Sequence, residues 1–162
     1  MIRPFRSRPP IEVAPGERVL ARAPLVDRAN AAAGGTRDAI YLPQRVPWEE
    51  VASADWDHEE RTLTVTEVGR FGEPRAVHVL RLRDAERLLQ LVRERVTASI
   101  ALQRHVPVRD RRSVRVIARQ APGRRGDVAW FVEYDEGLDP ADPGVDEVVQ
   151  AALAAARADL GR

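Results

Sequence analysis

Between Pro15 and His105 the chain changes period once, and that change constrains its fold more than any other feature. Several short runs alternate polar and apolar residues, and one long run then repeats apolar residues at helical spacing. Residues 61–68 set Leu63, Val65 and Val68 against threonines and Glu67. Residues 76–82 put Val77, Val79 and Arg81 on one face and His78, Leu80 and Leu82 on the other. Both patterns predict half-buried antiparallel strands. Residues 17–23, after the Pro15-Gly16 turn, and residues 39–42, between Gly34-Gly35 and Pro43, predict two earlier strands. Residues 45–56 predict a helical turn passing into a strand. From Asp84, expected as the N-cap, the stripe Ala85, Leu88, Leu89, Val92, Val96 and Ile100 predicts an amphipathic helix of about five turns that Pro107 ends. Such an order suggests a small barrel or curled sheet covered at one end by a helix.

The rest of the chain predicts a second assembly. Residues 113–120 and 127–134 form a hairpin around the loop Ala121-Pro-Gly-Arg-Arg-Gly126. A helix from about residue 143 then carries Val145, Val148, Val149, Ala152, Leu153, Ala156 and Leu160 on one side. A lone hairpin is marginal in water, so it must pack on something. Its second strand has Trp130 on one face and Phe131 on the other, and the C-terminal helix is the expected cover for one of them.

Composition narrows the function classes. The 162 residues include no cysteine, so the chain has no disulfide framework, thiolate nucleophile or cysteine metal site, which fits a cytoplasmic protein. Arg3, Arg6 and Arg8 stand near the N-terminus without the apolar stretch of a signal peptide. No apolar run approaches the ~20 residues of a membrane span. All 26 basic residues are arginine, and the net charge of +1 provides no global attraction to nucleic acid or anionic membranes. That total conceals two opposed blocks: eight arginines against Asp110 alone in residues 104–125, then eight carboxylates and no base in residues 127–147.

Motifs for catalysis are missing. His58, His78 and His105 lack metal-site spacing, so no metal or cofactor is expected. The acidic run Asp135, Glu136, Asp139, Asp142, Asp146 and Glu147 lacks the order of a calcium loop and reads as a solvated turn leading into a helix. Ser7, Ser53, Ser99 and Ser113 sit in no nucleophile elbow. Neither Gly34-Gly35 nor Gly123-Arg-Arg-Gly126 belongs to a phosphate-loop pattern. Two binding surfaces are expected in their place. Trp48, Trp56 and Trp130 are candidate protein-contact aromatics. Arg109, Arg111, Arg112, Arg124 and Arg125 are candidate anion-binding residues, unless the acidic block neutralises them internally.

The segments Pro15-Gly-Glu-Arg-Val-Leu, Thr36-Arg-Asp-Ala-Ile-Tyr-Leu, Val46-Pro-Trp-Glu-Glu-Val51 and Asp84-Ala-Glu-Arg-Leu-Leu-Gln-Leu-Val resemble the bacterial pleckstrin-homology-like superfamily. The whole chain, through Leu102-Gln-Arg-His-Val-Pro-Val108 and Trp130-Phe-Val-Glu-Tyr-Asp-Glu-Gly137, is similar to uncharacterised actinobacterial proteins. Alanine and glycine at residues 29–35, where the second strand of such a barrel carries bulky residues, depart from the pattern. The resemblance implies recognition rather than catalysis. The expectation is therefore an α+β protein: residues 1–14 a flexible arm, 15–105 a pleckstrin-homology-like antiparallel barrel with a capping helix, and 106–162 a β-hairpin with a C-terminal helix packed on it. Its expected role is a non-catalytic cytoplasmic interaction or scaffold module that binds a protein partner or itself. The alternative is an anion-binding module for nucleic-acid or lipid phosphate.

Overall fold

Strands form over residues 61–68 and 76–82 much as the alternation predicts, whereas the strand expected at residues 17–23 begins only at Ala21. A computed structural model describes residues 10–70, 72–123 and 126–161 as an α+β chain with three antiparallel sheets and two helices. Two compact units divide between Ala98 and Ser99.

The first unit contains two sheets. One is a meander of β1 (Ala21–Pro24), β2 (Ala32–Gly35), β3 (Ala39–Tyr41) and β4 (Arg45–Pro47). A single 3-10 turn, Trp48–Glu50, leads into the other, formed by β5 (Val51–Asp57), β6 (Thr62–Glu67) and β7 (Val77–Arg81). Among the described residues the two sheets do not close into a barrel. Where β1 ends, Leu25 bridges Leu82, with Val26 N–H donating to the Arg81 carbonyl at 2.9 Å and Arg83 N–H to the Pro24 carbonyl at 3.0 Å. The chain then turns away, reaching a positive φ at Asn30, so the ladder between the sheets stops after one corner.

The small residues of β2 have a packing reason. A Cβ on Gly35 would lie 2.6 Å from Leu91 Cδ2 and 3.2 Å from the Trp48 ring, and one on Gly34 would lie 2.5 Å from Ile11 Cδ1. At these two positions the faces of the strand are covered too closely for a side chain. What presses on Gly35 is the helix α1 (Glu86–Ser99), whose Leu88, Leu91 and Val92 are buried with Ile40, Trp48, Leu63, Val65 and Leu82 in one core. Leu89 and Val96, on the same predicted stripe, are only partly buried, whereas Leu91 belongs to the core. Asp84 is not the N-cap: it takes φ 48°, and Ala85 O accepts the first helical bond, from Leu89 N–H.

The helix does not reach His105. From Ile100 the sequence alternates, with Leu102, Val106 and Val108 on one side and Gln103, His105 and Pro107 on the other, and strand pairing displaces helix. In the second unit β8 (Ile100–Arg109), β9 (Arg112–Arg119) and β10 (Ala129–Tyr134) form a sheet in the order β10-β9-β8. Pro107 is tolerated because β8 is an edge strand and its register shifts between Pro107 and Arg109. Asp110 and Arg111, both at positive φ, make the two-residue turn into β9. The helix α2 (Pro143–Leu160) covers this sheet, its Val145, Val149 and Leu153 packing with Val106, Val108, Val114, Val132, Tyr134 and Leu138. Asp142 caps it, accepting from Gly144 N–H at 2.9 Å, and Gly161 ends it in the left-handed region.

Candidate functional site

Strand β7 is the edge of its sheet, and its surface is unusual for such a position. Register with β6 sets Val77, Val79 and Arg81 opposite Thr66, Thr64 and Thr62, so the three share the outer face, while His78 and Leu80 share the inner face with Val65 and Leu63. Val77 is 54% and Val79 63% exposed. The register of the Leu25–Leu82 bridge sets Val26, 40% exposed, opposite Arg81 and diagonal to Val79. Three of the four exposed large hydrophobic residues among those described therefore converge on β7; the fourth is Leu20.

The backbone of β7 is open along the same side. Ala76 O accepts from Glu67 N–H and Leu82 N–H donates to Arg61 O, so even-numbered residues direct their amide and carbonyl toward β6. Odd-numbered residues face away. Arg81 O is taken by Val26 N–H, but the N–H and C=O of Val77 and Val79 meet no bonding group among the described residues. Beside this edge lies an open concavity of about 340 Å³, lined by Leu25, Arg28, Leu42, Pro43, Val79 and Leu80 among others. His78 is held at the same place by Glu67, its Nε2 lying 2.8 Å from Glu67 Oε2. The sequence separated the two faces of β7 correctly but gave no sign of which faced inward, apart from Arg81 sharing its side with the two valines.

The tryptophans have three different placements. Trp48 is fully buried and donates Nε1–H to the Thr36 carbonyl at 3.0 Å, which leaves it no contact surface of its own. Trp56 packs partly against the core and borders a second open concavity, of about 740 Å³, with His58, Arg61, Glu86, Leu89 and Arg93. Its lining mixes both signs of charge. Trp130 lies under the Arg157 guanidinium, 5.7 Å from the ring centre.

The arginine candidates do not form one cluster among the described residues. Arg109 pairs with Asp142, Arg115 with Glu133, and Arg104 with Asp159, so the basic block is met from β10 and from the start and end of α2. Hydrogen bonding from Arg109 and from Gly144 N–H holds the Asp142 carboxyl below the ordinary carboxylate range. The Arg112 guanidinium lies where a Cβ on Gly137 would be, at 2.6 Å. Arg111 is exposed in the turn, and Arg124 and Arg125 lie outside the described residues. No group of three or more histidine, aspartate or glutamate side chains suited to a metal ion occurs among the described residues.

A polar network gathers on Glu17, whose side chain is 5% exposed. Its carboxylate accepts from Thr36 Oγ1 at 2.6 Å, Tyr41 OH at 2.9 Å and Arg45 Nε at 3.0 Å. Burial alone would push this carboxyl up, but the three donors together hold it below the ordinary range. Thr36 Oγ1 in turn accepts from the amides of Asp38 and Ala39, both at 3.1 Å. The network fixes the β2–β3 turn, with the Thr36 and Tyr41 hydroxyls and Arg45 Nε all turned onto the one carboxylate.

No protein-family model matches the chain, and no curated protein or solved structure matches it. Among the described residues no helix is long and apolar enough to cross a membrane.

Proposed function

We propose that this chain is a non-catalytic, cytoplasmic interaction module of pleckstrin-homology-like type, and that it contacts a protein partner through β7. One observation carries the reading: Val26, Val77 and Val79 gather on a strand whose outer backbone edge is open. An exposed edge bearing apolar side chains invites pairing with another chain, and proteins usually blunt such edges unless they use them. The Glu17 network supports the same reading, because its three donors hold that carboxylate to a turn.

Phosphate recognition by the arginines of the second unit has less support. Arg109 is already paired with Asp142, and Arg112 is stacked on Gly137.

A photo-crosslinking residue placed at position 79 tests the proposal in cells. Polypeptide adducts at 79, absent when the same group replaces Arg111, are expected. Adducts of equal yield at both positions, or none at 79, would overturn it.

A further inference from the structure

We infer that residues 100–104 are a two-state segment, strand β8 in one state and an extension of α1 in the other, with the Arg104–Asp159 ion pair favouring the strand. The inference is independent of β7 and concerns the point at which the chain passes from one compact unit to the next.

The sequence at this point favours both structures. α1 ends at Ser99 and β8 begins at Ile100, with no residue between them. The usual stop signals of a helix are missing: residues 96–101 contain no glycine or proline, none takes a positive φ, and the last turn of α1 has no basic residue. Leu88, Val92, Val96 and Ile100 run past the boundary at steps of four, and Ala101, Leu102, Gln103 and Arg104 are all strong helix formers. In a longer helix the Ser99 carbonyl would accept from Gln103 N–H, and Arg104 would place a cation at the C-terminal end, where the dipole favours it. Pro107 disfavours helix at Val106, which limits the extension.

The strand is lightly held over the same residues. Its register slips between Ile100 and Leu102, so Ala101 has no partner of its own on β9. Gln120 N–H donates to the Ser99 carbonyl at 2.9 Å, so even-numbered residues of β9 turn toward β8; Leu102 and Arg104, opposite Ala118 and Val116, are the residues bonded there. Gln103 turns its N–H to the open edge. Ile100, Ala101, Leu102 and Arg104 are half-buried, and none of the five residues belongs to either apolar core, whose members from β8 are Val106 and Val108. Conversion to helix gives up two bonded pairs and the Arg104–Asp159 contact, and it opens the N–H and C=O groups of Val116 and Ala118 on β9.

The test is NMR relaxation dispersion and saturation transfer on the full chain, with the Cα shifts of the minor state reporting its conformation. The wild type should show exchange at residues 99–104, on the microsecond-to-millisecond timescale, with a state of helical shifts populated at about 1–10%. Gln103→Pro should abolish the exchange without lowering the melting temperature. Proline cannot donate to the Ser99 carbonyl and its ring clashes there, whereas the strand loses no ladder bond, as at Pro107 on the same side. Should that variant fail to fold, Ala101→Thr decides, and should lower the helical population about threefold. Asp159→Asn should raise that population, by up to about fivefold for an exposed ion pair. Absence of exchange in the wild type, a minor state with random-coil shifts, or a helical population unchanged in the decisive variant would overturn the two-state segment. A population unchanged by Asp159→Asn would overturn the part given to the ion pair.

Discussion

The Thr36 hydroxyl stands 2.6 Å from Glu17 Oε1, joining a turn between two short strands to a residue nineteen positions earlier. Because Thr36 also receives the amides of Asp38 and Ala39, the carboxylate anchors the turn through a single side chain. Glu17→Gln puts an NH2 donor where a carboxylate oxygen now faces donors, and should cost about 1–3 kcal/mol at neutral pH. The pH dependence has a definite sign. A carboxyl whose folded pKa is lowered contributes stability above its unfolded value and loses it as pH falls through the folded value. The wild type should therefore lose stability from about pH 4.5 downward, and the Gln variant should lose less over that interval in denaturant titrations at successive pH values.

Gly35 is expected to tolerate no side chain. Its missing Cβ would press on Leu91 and Trp48, both buried, so Gly35→Ala should cost about 1–3 kcal/mol through overpacking. Leu88→Ala, at a fully buried position, should cost about 2–5 kcal/mol. Adding Leu91→Ala to Gly35→Ala should destabilise by less than the sum of the single changes, because the same contact is relieved. Chemical denaturation of the four variants measures this coupling.

Asp142 serves α2 twice, capping its first turn and pairing with Arg109. Asp142→Asn keeps a capping oxygen and loses the charge; Asp142→Ala loses both. Melting temperatures should fall in that order, and the gap between wild type and Asn should narrow in high salt.

Tyr134 should titrate above the ordinary tyrosine range, because burial favours the neutral phenol and the Asp146 carboxylate adds to the effect. Asp146→Asn should bring its midpoint down part of the way, with burial retaining the remainder. Ultraviolet difference titration follows the change.

Much of this fold is legible in the residues. The alternation at residues 61–68 and 76–82 marks β6 and β7, and the stripe from Val145 to Ala156 marks α2 and the face it buries. The end of α1 is not legible, because Ile100 satisfies the helical stripe and the strand alternation equally, and only pairing with β9 decides between them. Nor can sequence explain Ala32–Gly35 as a strand, since the reason for its small residues is the approach of Leu91, Trp48 and Ile11 from distant positions. Aromatic content drew attention to Trp48, which is core, while the candidate surface consists of valines. Valine on a strand reads as buried until the missing neighbour of β7 is seen.

That missing neighbour is tested most directly by amide hydrogen exchange along β7 in the free protein. If the edge is open, exchange alternates: His78 and Leu80, turned toward β6, are protected, and Val77 and Val79 exchange close to the rate of an unstructured peptide. Protection of all four amides to the same degree would mean that another segment already covers the edge, and would contradict the account of β7 as the recognition strand.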